Sequence, residues 1–168
     1  MRLVAAVLLV VLVTLPALAA KDFEATESDF ACLLNWDKVN NVRIFNAKPR
    51  LLRKAKRVLE SGRPNRKYPV GTIMQLIPGE AMVKRKKSFN PDGNGWEFFQ
   101  LGTSASGTTI VSRGADAINF LGLECKACHA AAVKFDFVCE KTHGCIVLPL
   151  TDAGIDALQR ADPRCPPQ

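Results

Sequence analysis

Six cysteines, Cys32, Cys125, Cys128, Cys139, Cys145 and Cys165, constrain this 168-residue chain more than any other feature. They follow the stretch MRLVAAVLLVVLVTLPALAA, in which Arg2 precedes an apolar run from Leu3 to Val13 and Ala17-Leu18-Ala19 forms an A-x-A cleavage signal. That order is the layout of a secretory signal peptide, expected over residues 1–20 with cleavage after Ala19 or Ala20. The apolar run falls short of the roughly 20 residues a spanning helix needs. The expected product is therefore soluble and periplasmic or secreted, with residues 21–168 as a single domain around one ordinary core. Such a compartment is oxidising, so its thiols are expected to be paired or ligated.

Cys125, Cys128 and His129 stand in the order C-x-x-C-H, the attachment sequence for c-type haem. Two thiols three positions apart reach the two vinyl groups of one porphyrin, and the adjacent imidazole falls beneath the iron as axial ligand. Covalent attachment also takes place outside the cytoplasm. Two rivals use the same atoms. A four-thiolate zinc site would draw on Cys125, Cys128, Cys139 and Cys145, but five residues separate the second pair and the compartment oxidises thiols. A thioredoxin-like dithiol is expected after a strand in a βαβ setting, which this sequence does not offer. With Cys125 and Cys128 committed to one covalent haem c, four cysteines remain. Three pairings are open to them; the reading preferred here joins Cys139 to Cys145 in a short loop and Cys32 to Cys165 across the chain ends.

Local patterns place the motif in an α+β chain, an antiparallel sheet with flanking helices and a C-terminal attachment motif. In PRLLRKAKRVLESG, Leu51, Leu52, Ala55, Val58 and Leu59 follow helical spacing, with Pro49 suited to the entry and Gly62 to the exit. GTIMQLI, EAMVKRKKSF, WEFFQL and GTTIVSR read as strands separated by PG, NPDGNG and GTSASG. NPDGNG predicts an antiparallel pairing of the strands on either side of it. TDAGIDALQRAD closes as a short helix with Thr151 as N-cap, whereas CLLNWDKVNNVRIFN shows no clean period. The segment GADAINFLGLECKACHAAAV is expected to turn helical as it approaches the cysteines.

The formal charge is +7, and loss of Arg2 leaves 22 Lys and Arg against 16 Asp and Glu. Export argues against nucleic acid as the partner and in favour of an acidic redox protein or a membrane surface. Arg50, Arg53, Lys54 and Arg57 on the polar side of the first helix read as a solvated face of an amphipathic helix or, alternatively, as the docking face for such a partner.

The late motif separates this chain from small all-helical electron carriers, which place it early and use a downstream Met ligand. Met1, Met74 and Met82 all precede Cys125, so no Met ligand can follow it. From Tyr68 to Phe137, through YPVGTIMQL, WEFFQL, GTTIVSRG and CKACH, the chain resembles the cytochrome P460 and cytochrome c′-beta family. The resemblance implies a mostly antiparallel sheet with helices, often a homodimer, and a five-coordinate haem with His129 as proximal metal ligand. Members either oxidise hydroxylamine, using a lysine cross-linked to the haem, or bind nitric oxide in a pocket capped by apolar side chains. Small nitrogen-oxide or hydroxylamine-class molecules are thus the expected ligands or substrates. Lys84 is the candidate for a cross-link, since it shares strand parity with Met82 in the basic run Lys84–Lys87. Glu97, on the face shared by Phe99 and Leu101, is a candidate proton acceptor. Arg113, placed by parity with Thr109 and Val111, is a candidate for a haem propionate. Phe89, Phe98 and Phe99 are candidate caps, and His143 is the one other imidazole.

Overall fold

A computed structural model describes residues 21–140, 142–146 and 149–166. The expected signal peptide lies outside these residues. Six strands, β1 (Asp37–Val39), β2 (Val42–Phe45), β3 (Ile73–Gln75), β4 (Glu80–Lys84), β5 (Trp96–Ser104) and β6 (Gly107–Gly114), form one sheet in chain order, every neighbouring pair antiparallel. Three α-helices, α1 (Pro49–Ser61), α2 (Cys125–His129) and α3 (Asp152–Arg160), complete the expected α+β class.

The helices form where their end signals stand. Pro49 opens α1, and Gly62 closes it with φ +54°, a left-handed conformation that costs glycine no Cβ clash. Ala55 and Leu59 turn inward, and burying a leucine side chain contributes about 2 kcal/mol. Thr151 caps α3 by accepting the Gly154 amide at 3.0 Å. Asn40 takes φ +51° in the turn between β1 and β2, a conformation asparagine tolerates better than most residues. This hairpin formed in the stretch that lacked a period: three pairs, Asp37 with Ile44, Lys38 with Arg43 and Val39 with Val42, make up its register, too few residues to alternate legibly. The helix expected before the cysteines is confined to the five residues of α2, with residues 115–124 in a loop bridged by Ile118 and Glu124.

Strand alternation gives the sheet two buried faces. One carries Val42, Ile44, Met74, Met82, Trp96 and Phe98, packed with Ala55 and Leu59 of α1 and with Tyr68, Phe137 and Val138. The other carries Ile73, Ala81, Val83, Phe99 and Leu101 beneath Ala25, Phe30, Leu33 and Trp36. The strand pair expected around NPDGNG is β4–β5, with Met82 opposite Phe98 and Lys84 opposite Trp96. A bulge in β5–β6 sets Gln100 opposite Ser112 but Leu101 opposite Ile110. That irregularity breaks the strict alternation assumed for Arg113: it stands opposite Phe99, while Val111 is exposed.

Two disulfides join the expected partners, Cys32 with Cys165 and Cys139 with Cys145. Such bonds fit an oxidising compartment. Among the described residues no helix is long and apolar enough to cross a membrane. The first bridge spans 133 residues and is reinforced by Asp162, which accepts the Leu33 amide at 2.9 Å and pairs with Arg164 at 2.8 Å. Burial works to raise the Asp162 carboxyl, but the Arg164 and backbone hydrogen bonds outweigh it and hold the carboxyl below its ordinary value. Closing so long a loop restricts the unfolded chain. Replacing both Cys32 and Cys165 by Ser is expected to lower the unfolding free energy by about 2–5 kcal/mol, measured by denaturant titration; an unchanged midpoint would show that the bridge is dispensable.

Candidate functional site

The C-x-x-C-H motif folds as α2 and lies against the face of the sheet that also carries α1, with Cys125 packed on that core cluster. Of the six cysteines only Cys125 and Cys128 are free, both half-buried. Burial, and next the charge of Glu80, push the Cys125 thiol up to about 11. The four-thiolate zinc arrangement is ruled out because Cys139 and Cys145 are bonded to each other. Among the described residues, no cluster of three or more His, Cys, Asp and Glu side chains is arranged to hold a metal ion.

His129 is oriented from two sides. Its ring meets Phe98 at 5.2 Å between centroids, and its Nδ1 lies 2.7 Å from the Phe137 carbonyl oxygen. A carbonyl only accepts, so Nδ1 carries the proton and Nε2 keeps its lone pair in the neutral ring. Burial lowers the His129 pKa, against the opposing pull of the Phe137 carbonyl, and so favours that neutral form. An imidazole anchored through Nδ1 and free at Nε2 is the usual state of a metal-bound histidine. Two free thiols with such an imidazole fit a covalently attached haem: Cys125 and Cys128 would carry the porphyrin and His129 would face the iron. Exposed apolar side chains of the loop before α2, Ile118, Phe120, Leu121 and Leu123, together with Val133 after it, offer the surface such a group would cover.

The Phe137 carbonyl belongs to a turn of unusual conformation. Asp136 and Phe137 both have positive φ, +57° and +63°. Two successive non-glycine residues there cost about 1–3 kcal/mol each, which the surrounding contacts must offset. The Asp136 carboxylate has no exposure; it accepts the Tyr68 amide at 3.0 Å and the Lys84 ammonium at 2.7 Å, with Lys67 at 3.2 Å. The Asp136 carbonyl accepts Trp96 Nε1 at 2.5 Å.

The expected site residues separate into two groups. Lys84 does lie on the motif's face of the sheet, but its ammonium is held by Asp136 and by the Asn94 carbonyl at 2.8 Å. Burial lowers its pKa, and the Asp136 charge works against that shift. Glu97 and Arg113, expected beside the haem, are on the face of the sheet opposite the motif. Phe98, from the same strand, meets His129, so the adjacent Glu97 points away from it. Glu97 is buried between Arg113 at 2.8 Å and Arg85 at 3.2 Å, beneath the N-terminal segment. Phe99 shares that far face, and Phe89 stacks under the Arg85 guanidinium, so of the three candidate caps only Phe98 touches the motif's histidine. His143 is buried, stacked on Phe135 at 3.6 Å and bonded through Nδ1 to the Val138 carbonyl at 2.7 Å.

Sequence reading missed Asp136 and Glu80. Glu80 shares a face of β4 with Met82 and Lys84; burial raises its carboxyl, opposed by a hydrogen bond with Asn119, and its buried Oε1 has no hydrogen-bond partner among the described residues. Strand parity with Met82 was the available signal. The raised Cys125 pKa sets a test: in chain prepared without haem, Cys125 should alkylate slowly at pH 8 and about tenfold faster per pH unit until near 11, because only the thiolate reacts. Mass spectrometry of iodoacetamide-treated protein would read this, and fast pH-independent labelling of Cys125 would contradict its buried setting. No protein-family model, curated protein or solved structure matches this chain.

Proposed function

We propose that this chain is an exported mono-haem c-type cytochrome that binds small ligands such as nitric oxide, transfers electrons, or does both. The observation that carries the reading is the pair of unbonded thiols, Cys125 and Cys128, followed by an imidazole that is fixed through Nδ1 and whose Nε2 makes no hydrogen bond among the described residues. The bound haem would supply a metal centre for ligand binding and one-electron exchange. The chain's own part is to hold that group: Cys125 and Cys128 anchor it, His129 is the proximal ligand, and the apolar loop at residues 118–123 shields it from water. This is the arrangement implied by the resemblance to the cytochrome P460 and cytochrome c′-beta family.

The second reading, oxidation of hydroxylamine or nitric oxide with a lysine-cross-linked haem, keeps Lys84 as its candidate because that side chain is buried on the motif's face. The first reading is favoured because the Lys84 nitrogen is already engaged by a carboxylate at 2.7 Å. A nitrogen held by Asp136 and by the Asn94 carbonyl is committed to hydrogen bonds within the chain.

The proposed partner for electron exchange is an acidic protein. On α1, Arg50, Arg53, Lys54 and Arg57 form no salt bridge with a carboxylate among the described residues, and Arg63, Arg66 and Lys67 extend the basic surface around an open pocket of about 440 Å³. Asn65 donates to the Lys134 carbonyl at 2.6 Å, joining this surface to the segment that follows His129. A second copy of the chain, as in the dimers of the resembled family, is the proposed oligomeric partner.

Expression in a host that matures c-type haem tests both readings. The expected product carries one covalent haem with an ordinary c-type Soret band when reduced, and replacing Cys125 and Cys128 by Ala abolishes covalent attachment. A strongly red-shifted reduced band that disappears in Lys84→Met would establish the cross-linked alternative. Protein that lacks covalent haem after such expression would overturn both.

A further inference from the structure

We propose that the buried Lys84–Asp136 pair is a positioning device for His129: it locks the Asp136–Phe137 turn so that the Phe137 carbonyl stays on Nδ1 and Nε2 stays directed at a metal. The metal's identity rests on the haem reading; the device itself rests on the hydrogen bonds of the turn.

The turn is fixed at three points. Its side-chain anchor is the Asp136 carboxylate, held by Lys84 from β4 and by the Tyr68 amide. Its first carbonyl is held by the Trp96 indole from β5. Its second amide, Phe137 N, donates to the Ala132 carbonyl at 2.9 Å. These hold the 136–137 peptide; the next peptide, which carries the Phe137 carbonyl, is held by its own amide, Val138 N, donating to the Phe135 carbonyl at 3.2 Å, and the carbonyl lies 2.7 Å from His129 Nδ1. Asp136 and Phe137 are both side-chain-bearing residues held at positive φ, so loss of the anchors frees them to return to ordinary backbone conformations. Such a return rotates the peptide planes and takes the carbonyl off the ring.

Lys84 and Asp136 touch neither the imidazole nor, by their contacts, the thiols. They act through the backbone of residue 137. The rigid sheet supplies the lysine and the indole, Lys84 and Trp96 being directly opposed across β4 and β5. The histidine of the motif, carried on a five-residue helix, is thereby referenced to the sheet rather than to its own helix. Hydrogen bonding at Nδ1 raises the basicity of the ligating nitrogen, so the device would set how strongly His129 donates to iron.

The test uses the full chain matured with haem, as Asp136→Asn, Asp136→Ala, Lys84→Met and Lys84→Arg. Resonance Raman of the reduced protein reads the iron–histidine stretch. The expected result is a lower, broader band in Asp136→Ala and Lys84→Met, a smaller shift in Asp136→Asn, and recovery towards wild type in Lys84→Arg. In the haem-free chain, exchange of the His129 Nδ1 proton with solvent, followed by NMR, is expected to be at least tenfold faster in Lys84→Met. Where Asp136→Ala does not fold, Asp136→Asn and Lys84→Met decide, since each preserves the shape of the side chain. An unmoved band and unchanged exchange in these two variants, with the native circular dichroism retained, would overturn the proposal. Absence of covalent haem would overturn the functional reading, and the exchange rate in the haem-free chain would still decide this one.

Discussion

A carboxylate with no access to water organises the part of this molecule where chemistry is expected. Asp136 accepts from Lys84 and from the Tyr68 amide, and its backbone carbonyl accepts from Trp96. A buried charge is tolerated only when paired and hydrogen-bonded, and removal of one partner typically costs about 3–5 kcal/mol. The penalty for breaking the pair therefore holds several elements together at once: β4, β5, the approach to β3 and the segment after α2. Replacing such a pair with apolar groups is often neutral for stability. What an apolar replacement would not supply is direction, and a carbonyl aimed at His129 is a directional requirement.

The sheet divides the molecule into two kinds of polar interior. On the far face Glu97 lies between Arg85 and Arg113, and Arg113 also donates to the Ala25 carbonyl at 3.1 Å. Residues 22–30 close over this cluster, with Asp22 accepting from the Lys86 amide and from Arg85. Its charges are matched and its geometry is that of a latch for the N-terminal segment. On the near face the polar groups are less completely matched. Among the described residues Glu80 Oε1 is buried without a hydrogen-bond partner, and Cys125 and Cys128 are unbonded. Phe120 and Leu121 stand exposed in the loop that leads into the motif.

Much of the frame was legible because local physics decided it. Pro49 and Gly62 bracket α1, Thr151 caps α3, and glycine- and proline-rich turns separate the strands, all features fixed within a few residues. Reserving Cys125 and Cys128 for one use left three pairings of the other four cysteines, and the preferred one, a short loop and a tie between the chain ends, is the one that forms. The failures share a cause in long-range geometry. Alternation correctly put Glu97 with Phe99 and Trp96 with Phe98, but it cannot say which set meets the C-x-x-C-H segment, because that depends on how a loop returns to the sheet. For Arg113 the alternation itself failed, since one extra residue at Val111 reset the register. Asp136 was invisible for a related reason: nothing within KFDFV marks the aspartate as buried, and its partner is Lys84, fifty-two positions away.

That separation bears on how Lys84 should be understood. A lysine on the motif's face, desolvated and next to an aromatic ring, has two of the attributes of a reactive amine: Trp96 lies 4.9 Å below its nitrogen and burial favours its neutral form. The third attribute, a nitrogen not committed elsewhere, is missing: Lys84 donates to Asp136 Oδ2 at 2.7 Å and to the Asn94 carbonyl at 2.8 Å, and the Tyr68 amide donates to the same carboxylate oxygen. The side chain that could serve as an amine nucleophile is thus also the one that anchors the turn behind His129. The two roles make opposite demands on it, since anchoring keeps the hydrogen bond to Asp136 and attack on a porphyrin would break it.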